Sequence, residues 1–296
     1  MHRRQFLRGS AGTVAGLTVV GRAAAQDGGV VRIGSDIPYK PFEYRTESGE
    51  LIGFDVELAG AVFENQMNRD YEFVQTGFDT IIPSLNNGNF RIIMSAMTIN
   101  EERAQKVDFS DPYFVAYQTV AVLQGGDVQS VDDLQGTTVA VQKGTTGETA
   151  AEELKEEFGG DLTIDSYDQI PGAFNALLNN QAAAVINDNS VNVQYSEDNE
   201  NIVLLQGEGE AAQQSESAPD YLTLTVEEYG IAFRQDDDQF RQQVNEALNA
   251  VVRSGTYEEL YSEYFSGEPP ASIIERASGT ATGTEGTTTT GTGTTT

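Results

Sequence analysis

The sequence predicts an α/β fold built from two successive units of alternating strands and helices. Three observations carry that reading. From Val30 to Met94, short apolar runs alternate with amphipathic stretches in the order β-α-β-α-β, which implies a parallel sheet. After Gly125-Gly126 the alternation starts again and continues to Ile186. The 296 residues leave room for about two domains.

Residues 1–25 read as an export signal. Arg3, Arg4 and Arg8 precede a modestly apolar run from Ala11 to Val20, and Ala23-Ala24-Ala25 offers small residues for cleavage before Gln26. That run is too short to span a bilayer, and no other stretch approaches ~18 consecutive apolar residues, so a soluble mature protein is expected.

Val30–Gly34 is the first strand. Pro38 and Pro41 force an irregular loop after it, which leaves Asp36 and Tyr39 beyond a strand's C-terminal end, where ligands sit in α/β proteins. Glu43–Glu50 predicts a hairpin turning at Ser48-Gly49. Gly53-Phe54-Asp55 opens a helix whose apolar face is Val56, Leu58, Ala59, Val62 and Phe63, and Phe54 is assigned to the core. Tyr71–Gln75 is the second strand, and Phe78 directly after it faces the same crevice as Tyr39. A short helix marked by Ile81, Ile82 and Leu85 ends at Asn87-Gly88. Phe90–Met94 is the third strand and delivers the segment MSAMTINEERAQKVDFSDPY, Met94 to Tyr113. Within it, Thr98 and Glu101 have the spacing of a capping box, which predicts a helix start with free N–H groups and a positive dipole end. Arg103, one turn on, adds a planar fork that matches a carboxylate. Taken alone, the segment reads first as a capped surface helix with a solvated arginine.

In the second unit, strands are expected at Thr119–Leu123, Thr138–Val141, Leu162–Tyr167 and Ala183–Ile186, with helices at Glu148–Phe158 and Ile170–Asn179. The loop Gly144-Thr145-Thr146-Gly147 provides another helix N-terminus. Asp188 stands at a strand's C-terminal end, where it suits either a ligand or the cap of a helix over Ser190–Tyr195. Gly207–Asp220 reads as a polar loop, Leu222–Thr225 and Tyr229–Phe233 as strands, and Phe240–Val252 and Tyr257–Phe265 as helices separated by Gly255. Asp236-Asp237-Asp238 reads as capping charge. After Pro269-Pro270 the apolar pattern fades, and residues 278–296, almost wholly Thr, Gly and Ala, cannot build a core.

Composition excludes several functions. There are 17 Lys+Arg against 46 Asp+Glu, a net charge of −29. Such a charge repels itself in dilute buffer and is screened at ~1 M salt, where the Debye length is ~3 Å. A halophile's protein is therefore expected, one that loses its circular dichroism signal at very low salt. No basic stripe exists to meet nucleic acid. Cysteine is absent and His2 is the only histidine, so Ser-His, Cys-His and His-based metal sites are excluded downstream of residue 25. Walker and GxGxxG phosphate loops are missing too, and neither a cofactor nor a metal is expected.

The segments SDIPYKPFEY, GELIGFDVELA, FDTIIPSL, MSAMTINEER, VDFSDPYF, VAVQKGTTGET, EYGIAF and SGTYEELYSEYF occur in that order. Together, over about Val30–Pro269, they resemble the extracellular solute-binding proteins for polar amino acids, the receptors of ABC importers. The glutamine- and histidine-binding members are most alike. Arg3-Arg4-Gln5-Phe6-Leu7-Arg8 likewise resembles the twin-arginine motif of exported proteins.

The family resemblance implies a two-lobed, periplasmic-binding-protein-like type II fold with two hinge crossings. Lobe 1 would comprise residues 27–117 and 231–270, lobe 2 residues 118–230, and a threonine-rich tail residues 271–296. Arg103 would grip the α-carboxylate, helped by Thr98 and by the backbone at Ala96 beside Ser95. Asp188 would take the α-ammonium from the other lobe. Tyr39 and Phe78 would sandwich the ligand side chain, Asp36 would accept from its polar end, and Gln142 and Thr146 would line the second-lobe side. Gln142 stands where glutamine binders carry lysine, Gly147 where histidine binders carry glutamine, and Arg91 where aspartate is usual. Glutamine, histidine or a basic amino acid would suit the site. The implied protein is an exported, extracellular monomer without catalytic residues, whose partners are its amino acid and a membrane permease. The alternatives are a cyclohexadienyl or arogenate dehydratase-like enzyme on the same fold and a cell-surface protein on a threonine stalk.

Overall fold

Two β-sheets with helices packed against them form two lobes in the computed structural model, which describes residues 29–214 and 218–279. The expected export signal at 1–25 and the threonine-rich stretch 280–296 lie outside the described residues.

The chain begins with β1 (Val31–Ser35), the hairpin β2 (Tyr44–Arg45) and β3 (Leu51–Ile52), and α1 (Phe54–Ala59), which widens into a π-type coil over Gly60–Gln66. It continues through β4 (Tyr71–Gln75), α2 (Phe78–Asn86), β5 (Ile92–Ile93), the single turn α3 (Glu101–Ala104) and β6 (Asp108–Phe109). The long strand β7 (Phe114–Leu123) carries it into the second lobe. There follow β8 (Thr138–Gln142), α4 (Thr146–Glu157), β9 (Thr163–Tyr167), α5 (Ile170–Leu178), β10 (Ala184–Asp188), α6 (Asn189–Asp198), β11 (Ile202–Leu204) and the short α7 (Glu210–Gln214). Strand β12 (Thr225–Tyr229) leads back to β13 (Ala232–Phe233), α8 (Asp238–Arg253), α9 (Thr256–Tyr264) and α10 (Ala271–Ser278).

The first sheet has the order β4-β1-β5-β13-β6, with β1 parallel to β4 and β5. The second has the order β11-β7-β10-β8-β9, with β12 pairing the first half of β7. Ligand-binding ends of parallel strands therefore belong to two different sheets, and the two crossings between them, β7 and β12, run antiparallel side by side. Aromatic packing fixes that crossing to the first lobe. Phe114 of β7 lies 5.0 Å from Phe42 and 4.8 Å from Phe265, centroid to centroid. Phe54, fully buried, meets Phe265 edge-on at 5.2 Å, a core role as expected. Phe265, just past α9, so ties the C-terminal helices to the hinge. Helix α8 lays Phe240, Val244, Ala247, Leu248 and Val251 along one buried stripe, the spacing that an amphipathic helix requires.

Several boundaries differ from the sequence reading, each for a physical reason. Strand β7 starts at Phe114, not Thr119, because its first half pairs with β12 and extends past the sheet proper. The expected strands at Leu222–Thr225 and Tyr229–Phe233 give way to Thr225–Tyr229 and Ala232–Phe233. Glu227 and Glu228 have low strand propensity, yet they form β12 because β7 supplies the ladder. Helix α10 lies inside the stretch 271–296 assigned to the tail; Ile273 and Ala277, one helical turn apart, bury against α8. Asp237 does not cap α8. Its carboxylate instead receives two hydrogen bonds from Arg91, 2.8 and 3.0 Å, while the guanidinium carbon of Arg91 sits 3.5 Å from the Phe240 ring centroid.

Candidate functional site: a charged cavity between the lobes

Asp36, Tyr39, Phe78, Ser95, Ala96, Thr98, Arg103, Gln142, Thr146 and Asp188, the ten residues singled out from the sequence, line one cavity together with Thr145. The space enclosed within it is about 10 Å³, roughly one water's worth, so the lining side chains of the two lobes already nearly fill it.

The first-lobe wall is built by buried acids that hold loops in place. The Ser95 hydroxyl accepts from the Asp36 N–H at 3.0 Å and donates to Glu43 Oε1 at 2.7 Å, pinning the loop after β1. Ala96 adopts a left-handed φ of 46°, unusual for a residue with a Cβ. Its N–H donates to Asp55 Oδ2 at 2.9 Å, and the Tyr113 hydroxyl donates to the same oxygen. That leaves the carbonyl as the backbone group Ala96 can offer a ligand.

The capping box expected at Thr98 and Glu101 does not form. Asn100 caps α3 by accepting from the Arg103 N–H at 2.9 Å. Residues 97–99 instead pair with the hinge: the Ile99 N–H donates to Glu228 O at 2.8 Å and the Gly230 N–H to Met97 O at 3.0 Å. The hinge partner claims the backbone that a helix would have used, and it frees the Thr98 hydroxyl to donate to Glu227 Oε2 at 2.5 Å.

Arg103 is not the solvated arginine of the isolated reading; it is 7% exposed. Its Nη1 donates to Thr98 O at 2.8 Å and its Nη2 to Gly144 O of the second lobe at 3.2 Å, and its guanidinium lies 5.1 Å from the Phe78 ring centroid. Neither hydrogen bond is to a carboxylate. Burial lowers the guanidinium's pKa, and the charges of Glu227 and then Asp188 oppose that shift. Gly144 can deliver its carbonyl because it has no side chain: at its φ of +77° a Cβ would stand 3.0 Å from Asp79 Cα across the lobe boundary.

Asp188 occupies the position before α6, but its side chain does not cap that helix. The Tyr39 hydroxyl donates to its Oδ2 at 2.5 Å, and Gln118 Nε2 donates to its Oδ1. Burial, reinforced by Glu227, pushes the Asp188 carboxyl up to about 7. Asp36 receives Gln142 Nε2 on one oxygen and Gln169 Nε2, at 3.5 Å, on the other; burial raises it to about 6. Both acids thus have neutral partners only, a phenol and amides, which is the environment in which an incoming cation gains most.

Sequence reasoning missed Gln118, Gln169 and, above all, Glu227, which is 8% exposed on β12. Its Oε2 accepts from both Thr98 and Thr146. The available signal was phase: Glu227 shares its inward side of β12 with Tyr229, two residues on. Two ion pairs flank the lobe boundary, Lys143–Asp79 and Lys40–Asp198, each at 3.0 Å. Among the described residues no group of three or more His, Cys, Asp or Glu is placed to hold a metal, and no helix is long and apolar enough to cross a membrane.

Residues 31–267 match the model of a family described as bacterial extracellular solute-binding proteins, family 3. The "Probable histidine-binding protein" of Neisseria gonorrhoeae is 35% identical over 250 residues, 83% of this chain and 86% of that protein. The arginine-, lysine-, histidine-binding protein ArtJ of Geobacillus stearothermophilus superposes with a TM-score of 0.71 at 34% identity, covering 84% of this chain and 99% of that structure. The ancestral amino acid-binding protein AncCDT-1, a precursor of cyclohexadienyl dehydratase, gives 0.69 at 34% identity over 80% of this chain and 96% of its own. With two lobes, two crossings and a polar cavity between them, the chain belongs to the family 3 extracellular solute-binding proteins.

Proposed function

We propose that this protein is an exported receptor that captures a polar amino acid by closing its lobes and delivers it to the permease of an ABC importer. Residues 27–117 with 231–270 act as one body and 118–230 as the other. The observation that carries the reading is the cavity's pairing of a buried guanidinium, Arg103, with two buried acids from opposite lobes, Asp36 and Asp188, whose own partners are neutral. A zwitterion leaves water only where both of its charges are met, and each missing partner costs several kcal/mol. Arg103 receives the α-carboxylate, Asp188 the α-ammonium and Asp36 the far end of the side chain. Because the partners sit on different lobes, the ligand stabilises closure. Asp36 can accept from a glutamine, histidine or basic side chain, the three kinds that similar proteins are named for.

The role is capture without turnover, by an extracellular monomer that residues 1–25 direct out of the cell. Calorimetry against the twenty amino acids in high salt tests it. Micromolar or tighter binding of one or two polar amino acids, abolished in Arg103→Ala, is expected; binding of none refutes it. The likeness to a precursor of cyclohexadienyl dehydratase gives an enzyme its one foothold, and turnover of prephenate or arogenate would establish that reading instead.

A further inference from the structure

We propose that the same pocket also takes linear diamines and guanidino-amines, the decarboxylated counterparts of basic amino acids, because Glu227 already supplies the carboxylate that such ligands lack. This rests on reading the cavity as an amino acid site and widens its ligand class.

Glu227, on the hinge strand β12, stands directly behind two threonines that line the cavity, Thr98 and Thr146. Its Oε2 accepts from Thr98 Oγ1 of the first lobe at 2.5 Å and from Thr146 Oγ1 of the second at 2.8 Å, while its Oε1 accepts from Thr225 Oγ1 at 2.8 Å. Those two threonine hydroxyls are the donors a ligand's α-carboxylate would otherwise need. Arg103, the remaining group for that carboxylate, has two N–H groups on the carbonyls of Thr98 and Gly144 and keeps the charge of Glu227 nearby.

In a pocket built to bond one polar group of its ligand, an analogue lacking that group is rejected by about 10⁴-fold, because buried donors are stranded. Here the hydroxyls stay bonded and the guanidinium keeps an acidic neighbour when the α-carboxylate is missing. The cationic ends of the ligand lose nothing, since Asp188 and Asp36 are untouched. Charge favours the same conclusion. Once both acids are ionised, as a bound cation requires, Asp36, Asp188 and Glu227 outnumber Arg103 by two negative charges, which a dication balances and a basic amino acid, with its own carboxylate, does not.

The test is titration calorimetry of the mature chain in high salt with arginine against agmatine and lysine against cadaverine, repeated with Glu227→Gln. An amine that binds within about 30-fold of its amino acid, with the gap widened at least about tenfold in Glu227→Gln, is the expected result, well inside the ~10⁴-fold rejection of an ordinary polar site. A wild-type gap larger than that, or one that Glu227→Gln leaves unchanged, overturns the proposal while leaving the amino acid receptor intact. Binding of neither amino acids nor amines overturns both. Should Glu227→Gln fail to fold, the wild-type gap decides the matter alone.

Discussion

The phenol of Tyr39, in the loop after β1, donates to the Asp188 carboxylate at the end of β10 at 2.5 Å, so it joins the lobes at the cavity, as Gln142 does through Asp36. The same hydroxyl reaches Asn187 Oδ1 at 3.0 Å. Replacing it by Tyr39→Phe leaves the ring in place and strips Asp188 of a donor. A hydrogen bond to a charged group contributes about 1.5–3 kcal/mol, so the ligand's Kd should rise at least about tenfold. Calorimetry reads this directly, and an unchanged Kd would assign Tyr39 to packing alone.

Acid should stabilise the empty protein and weaken its grip on a cation. Asp36 at about 6, and Asp188 and Asp55 at about 7, all stand above the ordinary 3.8, chiefly through burial, and Glu43 is pushed up for the same reason. The folded chain therefore keeps protons that the unfolded chain has released. Their stabilising effect is complete below about pH 4 and is lost as pH rises through 6 to 7. At about 1.4 kcal/mol per unit of pKa, Asp36 and Asp188 each account for roughly 3 kcal/mol or more. Melting at constant salt should show Tm falling from pH 5 to pH 8. A cationic ligand needs both acids ionised, so binding near pH 6.5 should release protons, seen as a buffer-dependent enthalpy; zero release would rule out the ionised pair.

Ala96 holds its φ of 46° because Asp55 takes its N–H. A left-handed conformation costs a Cβ-bearing residue about 1–2 kcal/mol, and glycine's extra freedom when unfolded returns about 0.4–1. Ala96→Gly should thus gain up to about 1 kcal/mol, or ~2–4 °C in Tm for a protein of this size. A lower Tm would mean the methyl group itself packs productively.

Arg91 and Asp237 form a two-pronged pair with the guanidinium over Phe240. Arg91→Ala should destabilise by about 1.5–3 kcal/mol, and Arg91→Lys, which keeps charge but loses the fork, by somewhat less. A double-mutant cycle in denaturant isolates the pair; a coupling energy near zero would reduce it to an incidental surface contact.

Much of this was legible in the chain. Tyr71–Gln75 is β4 residue for residue, and α5 and β9 shift by a single residue, because strict apolar periodicity leaves little choice there. The cavity residues were legible too, since their motifs occur in order along the chain. What escaped was non-local. The half of β7 that crosses between lobes, and Glu227 opposite it, draw their structure from each other across more than a hundred residues, and a local window sees only a proline and two acids. Thr98 and Glu101 had the spacing of a cap, yet the distant strand β12 outcompeted it. Ile273 and Ala277 form too short a pattern to stand out after Pro269-Pro270, and become a helix only against α8.

The chain has four lysines, and two of them, Lys40 and Lys143, form ion pairs that span the lobe boundary, in a molecule of net charge −29. Each lobe is a strongly like-charged body, and repulsion between them acts over distances longer than a 3.0 Å staple. Added salt extinguishes the long-range push before the short-range clasp, because the Debye length shrinks from ~10 Å at 0.1 M to ~3 Å at 1 M. Brine would shut the jaw and fresh water prise it apart, with a radius of gyration that grows on dilution as the signature.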